Sequence, residues 1–199
     1  HRDLHSFPTR RSSDLTIALL ASPLIRSWVG ADYTESVGVT QFLVLCNLFA
    51  FITYPTSIFL MAKERIKEMY LISTLIPIIY WTGIISMYHF FGLNSFAIFK
   101  FIAFGASAIG YYFIMIRFLK IEVFQSIKEF FIPMLLPLLF LIATSHIIID
   151  HLPIEKSKMN LLIVAIVAVF MMAFAFTIQY IMSSNVRKTL TSIITIFRR

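Results

Sequence analysis

Long apolar runs separated by short polar breaks dominate the chain. They cover residues 39–62, 68–90, 95–119, 131–149 and 161–182. The hydrocarbon core of a bilayer is ~30 Å thick, so a helix needs about 20 predominantly apolar residues to cross it. Each of the five runs is near or above that length. A sixth, at 16–29, has only 14 residues and follows a polar leader. The pattern predicts an all-α, polytopic membrane protein with five complete transmembrane helices and one truncated helix at the N-terminus.

Composition agrees. The hydrophobic share of 59% and 21 Phe in 199 residues, with a mean hydropathy of +0.85, exceed what a water-soluble domain carries. Between the runs the longest loops, 120–130 and 150–160, have 11 residues each, too few for an ordered soluble domain. Cys46 is the single cysteine and lies inside a run, which excludes an internal disulfide framework. Residues 1–15, HRDLHSFPTRRSSDL, contain no apolar stretch of signal-peptide type. The string resembles the translation of a short-read sequencing adapter, so it is set aside as an artefactual leader. On that reading the open frame begins inside the first helix.

Charge changes the picture by orienting the runs. The net charge of +7 is not spread evenly as in a nucleic-acid-binding surface. Lys63, Arg65 and Lys67, then Arg117, Lys120 and Lys128, then Arg187, Lys188, Arg198 and Arg199 lie in or beside alternate breaks and in the tail. The opposite breaks hold only Lys156 and Lys158, beside the acidic Asp32 and Glu35. Lys and Arg concentrate in cytoplasmic loops, which predicts a cytoplasmic C-terminus and a multi-pass protein of the cytoplasmic membrane. The tail, 183–199, carries Leu190, Ile193, Ile194 and Phe197 at helical spacing among basic residues. That pattern suits an interfacial helix on anionic headgroups. A weaker version runs through Ile121, Phe124 and Ile127.

Polar groups inside apolar runs cost free energy, roughly 2.5–3.5 kcal/mol for a charge at mid-depth. Lys100 is the sixth residue of its run, about 9 Å from the outer end at 1.5 Å per residue. Its stem can return the ammonium to the interface or leave it facing a cavity. Arg26 lies three residues from the outer end of its run, where snorkelling is easier. Asn47, Ser73, Thr74, Ser107, Ser145 and Gln179 are expected to bridge helices, and Ala103/Ser107 and Ala106/Gly110 to let helices approach closely. Pro55, Pro77, Pro133 and Pro137 are expected to kink their helices. No catalytic constellation is found. His89, His146 and His151 lack HExxH-type spacing, and there is no metal motif, CxxC, phosphate loop or nucleophile elbow. No cofactor is implied.

One resemblance emerges from residue 16 to 182. Trp28-Val29-Gly30-Ala31-Asp32-Tyr33 closes a short helix before a long one. Pro55 lies mid-run, ahead of Leu60-Met61-Ala62-Lys63-Glu64-Arg65-Ile66-Lys67. Gly92-Leu93-Asn94-Ser95-Phe96-Ala97 opens another helix, with Ser95 in place of a second Gly and Phe96 at a small-residue position. Together these resemble the second half of bacterial polysaccharide-export flippases, in the multidrug/oligosaccharidyl-lipid/polysaccharide superfamily. The resemblance implies part of a MATE-like lobe plus two extra helices, from the end of a ninth helix through a fourteenth. It implies a structural role for Trp28, Gly30, Tyr33, Pro55 and Gly92. Lys100, Arg26 and Asn47 become candidates along the substrate path. The function implied is alternating-access transfer of a lipid-linked (undecaprenyl-pyrophosphate) oligosaccharide across the bacterial inner membrane, for lipopolysaccharide O-antigen or related polysaccharides. Membrane lipids and that substrate are the expected partners; the coupling ion, proton or sodium, stays open. Two other readings compete. A drug/cation antiporter of the same superfamily calls for acidic residues deep in the runs, which are missing here. A membrane-embedded glycan or acyl transferase calls for a His or Asp cluster at a membrane face.

Overall fold

In a computed structural model of the chain, described for residues 7–120, 124, 132–153 and 155–182, the described residues are helical with no strand. The helices are α1 (Phe7–Leu19), α2 (Ala21–Trp28), α3 (Glu35–Ala62), α4 (Ile66–Phe91), α5 (Asn94–Leu119), α6 (Ile132–Ile149) and α7 (Lys158–Met182), with a short 3-10 turn at Ala31–Tyr33. Four helices, α3, α4, α5 and α7, are long and apolar enough to cross a membrane. The expected fifth complete span is α6. At 18 residues it measures about 27 Å, just under the hydrocarbon thickness. The 131–149 run begins at Phe131, which lies outside the described residues, as do the tail 183–199 and Lys128.

The short sixth run is not one straight helix. It divides between the end of α1 and all of α2, with a break at Leu20. Pro23 accounts for the break: it cannot donate to the Leu19 carbonyl, and its ring crowds that oxygen. The neighbouring bonds, Leu20 N to Thr16 O and Leu24 N to Leu20 O, persist at 2.9 and 3.0 Å. Helix α1 starts at Phe7 and so runs through the boundary drawn at residue 15. Pro55 and Pro77 sit inside helices that continue past them. Pro133 directly follows Ile132 in α6, and Pro137 lies inside that helix.

Helix α5 lies between α3 and α4. Gly38 meets Asn94, Phe49 meets Phe101 and Gly105, Thr56 meets Met115, and Phe59 meets Phe118. Both numbers rise together, so α3 and α5 run in the same direction. Against α4 the order reverses: Ile72 faces Gly110, Ser73 faces Tyr111, Gly83 faces Phe99 and Tyr88 faces Phe96. Small residues make this double contact possible, because backbones approach only where no side chain intervenes. Ala103 and Ser107 are fully buried, as the small-residue spacing predicts. Leu60, Ile72 and Tyr111 close the core at one end of the trio. A second core gathers Leu15, Leu20, Leu141, Val164, Met171 and Ala175, so α1, α6 and α7 form the other half of the bundle. Helix α1 joins the halves by packing on α3, where Gln41 Nε2 donates to the Ala18 carbonyl at 3.1 Å.

The closest approach in the trio is Gly83 against Phe99, where an added Cβ would stand 2.0 Å from a ring carbon. Overpacking of this kind costs about 1–3 kcal/mol. Gly83→Ala should therefore lower thermal stability in detergent, and much less so when Phe99→Ala is already present. Equal losses in the two backgrounds would show that the ring contact is not the cause.

Candidate functional site

The polar candidates lie toward one end of the bundle. Three connections meet there: the 29–34 segment, the α4–α5 turn and the 150–157 loop. Gly38 beside Asn94 brings the first two together. The Ser157 amide donating to the Ser27 carbonyl at 3.2 Å adds the third. This end carries Asp32, Glu35, Asp150, Glu155, Lys156 and Lys158. The α3–α4 turn and the C-terminus of α5 lie at the other, with Lys63, Arg65, Lys67, Arg117 and Lys120. The alternation read from the loops is thus a real separation of charge between two ends.

Lys100 projects from α5 and is exposed. Its neighbour Phe101 packs between Phe42 and Phe49 of α3, with ring centroids 5.8 and 5.0 Å away. That contact brings Lys100 level with the middle of α3. Cys46 of α3 is buried. Asn47, the next residue, turns about 100° around the helix axis and is exposed. Lys100 and Asn47 therefore share a level of the α3–α5 pair. Arg26 stands apart on α2, which packs on α7 and α3. It is half-buried, and its Nε is buried without a hydrogen-bond partner. Among the described residues no hydrogen bond or ion pair joins Arg26, Asn47 and Lys100 to one another.

The expectation that polar side chains bridge helices is met by one residue of the set. Ser73 Oγ reaches the Tyr111 hydroxyl at 3.5 Å. Thr74, Ser107 and Ser145 instead donate to carbonyls of their own helices, at Tyr70, Phe104 and Ile142. A short hydroxyl reaches the carbonyl three or four residues back without leaving its helix. Gln179 Oε1 is buried without a partner. Further bridges come from Gln41 and from Thr56, whose Oγ1 lies 3.6 Å from Met115 Sδ while donating to the Ile52 carbonyl at 2.6 Å. Neither stands out in a single sequence, because a polar residue announces its type but not its neighbour.

The residues singled out by the resemblance cluster in part. Trp28 and Tyr33 are exposed at the α2 end, flanking the buried Gly30. Gly30 has φ 113° and ψ 176°, a conformation almost confined to glycine. It turns the chain from α2 into the 3-10 turn beneath the Lys156 stem. Gly92, at φ 53° and ψ −133°, does the same between α4 and α5. Pro55 lies far from both, in the second half of α3. His89, His146 and His151 remain scattered; His151 Nδ1 lies 3.0 Å from the Ile147 carbonyl. Among the described residues no three His, Cys, Asp or Glu side chains gather as metal ligands.

A Cβ at Gly30 would find ordinary contact, 3.6 Å from Lys156 Cδ, so backbone strain alone opposes substitution. Gly30→Ala should destabilise by about 1–3 kcal/mol. Gly38→Ala, inside helix α3 with similar space, should be neutral or stabilising by up to about 1 kcal/mol. Thermal unfolding of both variants checks the contrast, and equal effects would contradict it.

No protein-family model matches this chain, and neither the curated proteins nor the solved structures contain a match to it.

Proposed function

We propose that this chain is the C-terminal part of a membrane transporter that passes a lipid-linked oligosaccharide from the inner to the outer leaflet of a bacterial inner membrane. Support for a membrane setting comes from the four long helices. The most apolar stretch of each has a mean hydropathy of 1.6 to 2.9, yet only 17% to 22% of it is buried within the bundle. Ile85, Phe90, Leu71 and Phe170 are among the large apolar side chains left exposed. Apolar surface on that scale suits hydrocarbon far better than water. The basic end then faces the cytoplasm, and Lys100 and Asn47 lie in the outer half of the bundle.

Lys100 is the observation that carries the transport reading. It is a cation within an apolar stretch of α5, with no carboxylate partner among the described residues. An intramembrane charge without a partner is costly unless it faces water or an anionic ligand. A pyrophosphate linkage has the matching sign. The ordered resemblance in the stretches around Trp28, Pro55 and Gly92 supports the same reading. In this proposal the N-terminal lobe completes the cavity, Lys100 attracts the pyrophosphate on its outward path, and Asn47 offers hydrogen bonds to sugar hydroxyls at the same level.

The test uses the full-length protein in cells whose surface polysaccharide depends on it. Lys100→Ala should reduce glycan export by roughly tenfold or more, the effect of one lost charge contact in a poorly screened site. Lys100→Arg should retain most export. Export at the parental rate from Lys100→Ala, with normal protein levels, would remove the cavity role.

A further inference from the structure

The cleft at the basic end plays no part in the proposed transport path. It has a volume of about 460 Å³ and, among the described residues, is lined by Arg65, Glu68, Ile114, Arg117, Phe118 and Lys120. Its shape follows from two chain reversals. Helix α3 ends at Ala62, and Glu64 adopts a left-handed φ of 57°. The Arg65 amide then returns to the Leu60 carbonyl at 2.9 Å. This tight turn swings the Arg65 side chain across to α5, where its guanidinium lies 4.4 Å from the centre of the Phe118 ring. Arg65 also pairs with Glu68 one turn into α4. At the far side α5 stops at Leu119, and Lys120 follows with φ 51°.

Among the described residues the charges in the cleft do not cancel. Glu68 engages Arg65, which leaves Arg117 and Lys120 without a carboxylate partner among the described residues. The walls are not uniformly polar either. Ile114 and Phe118 are one helical turn apart on α5 and form an apolar side, while Arg117 and Lys120 stand toward the end of the helix. An inorganic anion needs only the cations. A ligand with an anionic head and an apolar body uses both surfaces, and the cations sit where the headgroups of a surrounding bilayer would be.

We propose that this cleft binds the phosphodiester headgroup of an anionic phospholipid, with Arg117 and Lys120 on the phosphate and Ile114 and Phe118 against the glycerol and upper acyl chain. The Arg65–Glu68 pair, stacked on Phe118, holds the rim open on the α4 side. Such a site would tie α3, α4 and α5 together at their cytoplasmic ends and make the trio's stability depend on lipid charge. The inference rests on the reading that these helices span a bilayer.

The experiment compares the purified 199-residue chain in nanodiscs of phosphatidylcholine with and without phosphatidylglycerol, following thermal unfolding and lipid retention by native mass spectrometry. The double variant Arg117→Gln/Lys120→Gln removes the two free cations. Lys63→Gln/Lys67→Gln removes equal charge from the same end but outside the cleft. Phosphatidylglycerol should raise the unfolding temperature of the parent and of the Lys63/Lys67 variant. Apparent affinity for phosphatidylglycerol should fall roughly tenfold or more in the Arg117/Lys120 variant, in line with the attraction per basic residue at an anionic surface. Unchanged unfolding of that variant in pure phosphatidylcholine would show that it still folds. Equal losses in both double variants, or in neither, overturn the proposal. So does glycerol phosphate in solution protecting the parent in pure phosphatidylcholine as well as the lipid does. A chain that fails to enter nanodiscs at all overturns the membrane reading instead, and the two failures are thereby told apart.

Discussion

Close approach of α5 to both α3 and α4 is the contact on which the rest of the structure depends. Helices in an apolar surrounding gain little from burying one more leucine, because lipid is as apolar as the partner helix. What favours association is fit. Gly83 admits the Phe99 ring, Gly105 admits Phe49 at 3.2 Å from an added Cβ, and Gly110 admits Ile72. Ala103 and Ser107 lie fully buried between them. Few polar bridges reinforce the trio, so its specificity comes from the placement of small residues against aromatic ones.

That packing also sets what each end of the bundle can do. Because α3 and α5 run in the same direction and α4 runs in the opposite one, the polar breaks among the described residues alternate between two ends. The half of the trio away from the basic end carries Lys100 and Asn47 at one level, held there by Phe101 between Phe42 and Phe49. The basic end gains a cleft because the α3–α4 turn is only three residues long and folds Arg65 over Phe118. One set of helix contacts therefore positions two charged loci about 26 Å apart along α5, each with the opposite requirement from the apolar surface between them.

Much of this was legible along the chain. The runs at 68–90 and 95–119 fall within two residues of α4 and α5. Helices α3 and α7 begin three or four residues earlier than the runs at 39–62 and 161–182. Hydrophobicity defines a run, but a helix tolerates polar residues such as Glu35 and Lys158 in its first turn, where they meet open amides or water. The small-residue spacing at Ala103 and Ser107 pointed correctly to a buried face of α5. Pro23 signalled the break between α1 and α2, yet a 14-residue run read as one short helix hid it. The neighbours of Gln41 and Thr56, and the return of Arg65 to Phe118, depend on residues more than 20 positions away. For the hydroxyls, local capture by the preceding turn won over contacts between helices.

The central claim is that α3, α4, α5 and α7 cross a bilayer with the basic end inside. With Cys46 replaced by Ser, the chain has no other cysteine, so single cysteines can be placed at will. The most direct measurement adds a membrane-impermeant maleimide to intact cells expressing Ser36→Cys, Leu93→Cys or Lys63→Cys in that background. The account predicts labelling of Ser36→Cys and Leu93→Cys from outside, and of Lys63→Cys only after the membrane is opened. Labelling of Lys63→Cys in intact cells as fast as Ser36→Cys would contradict it.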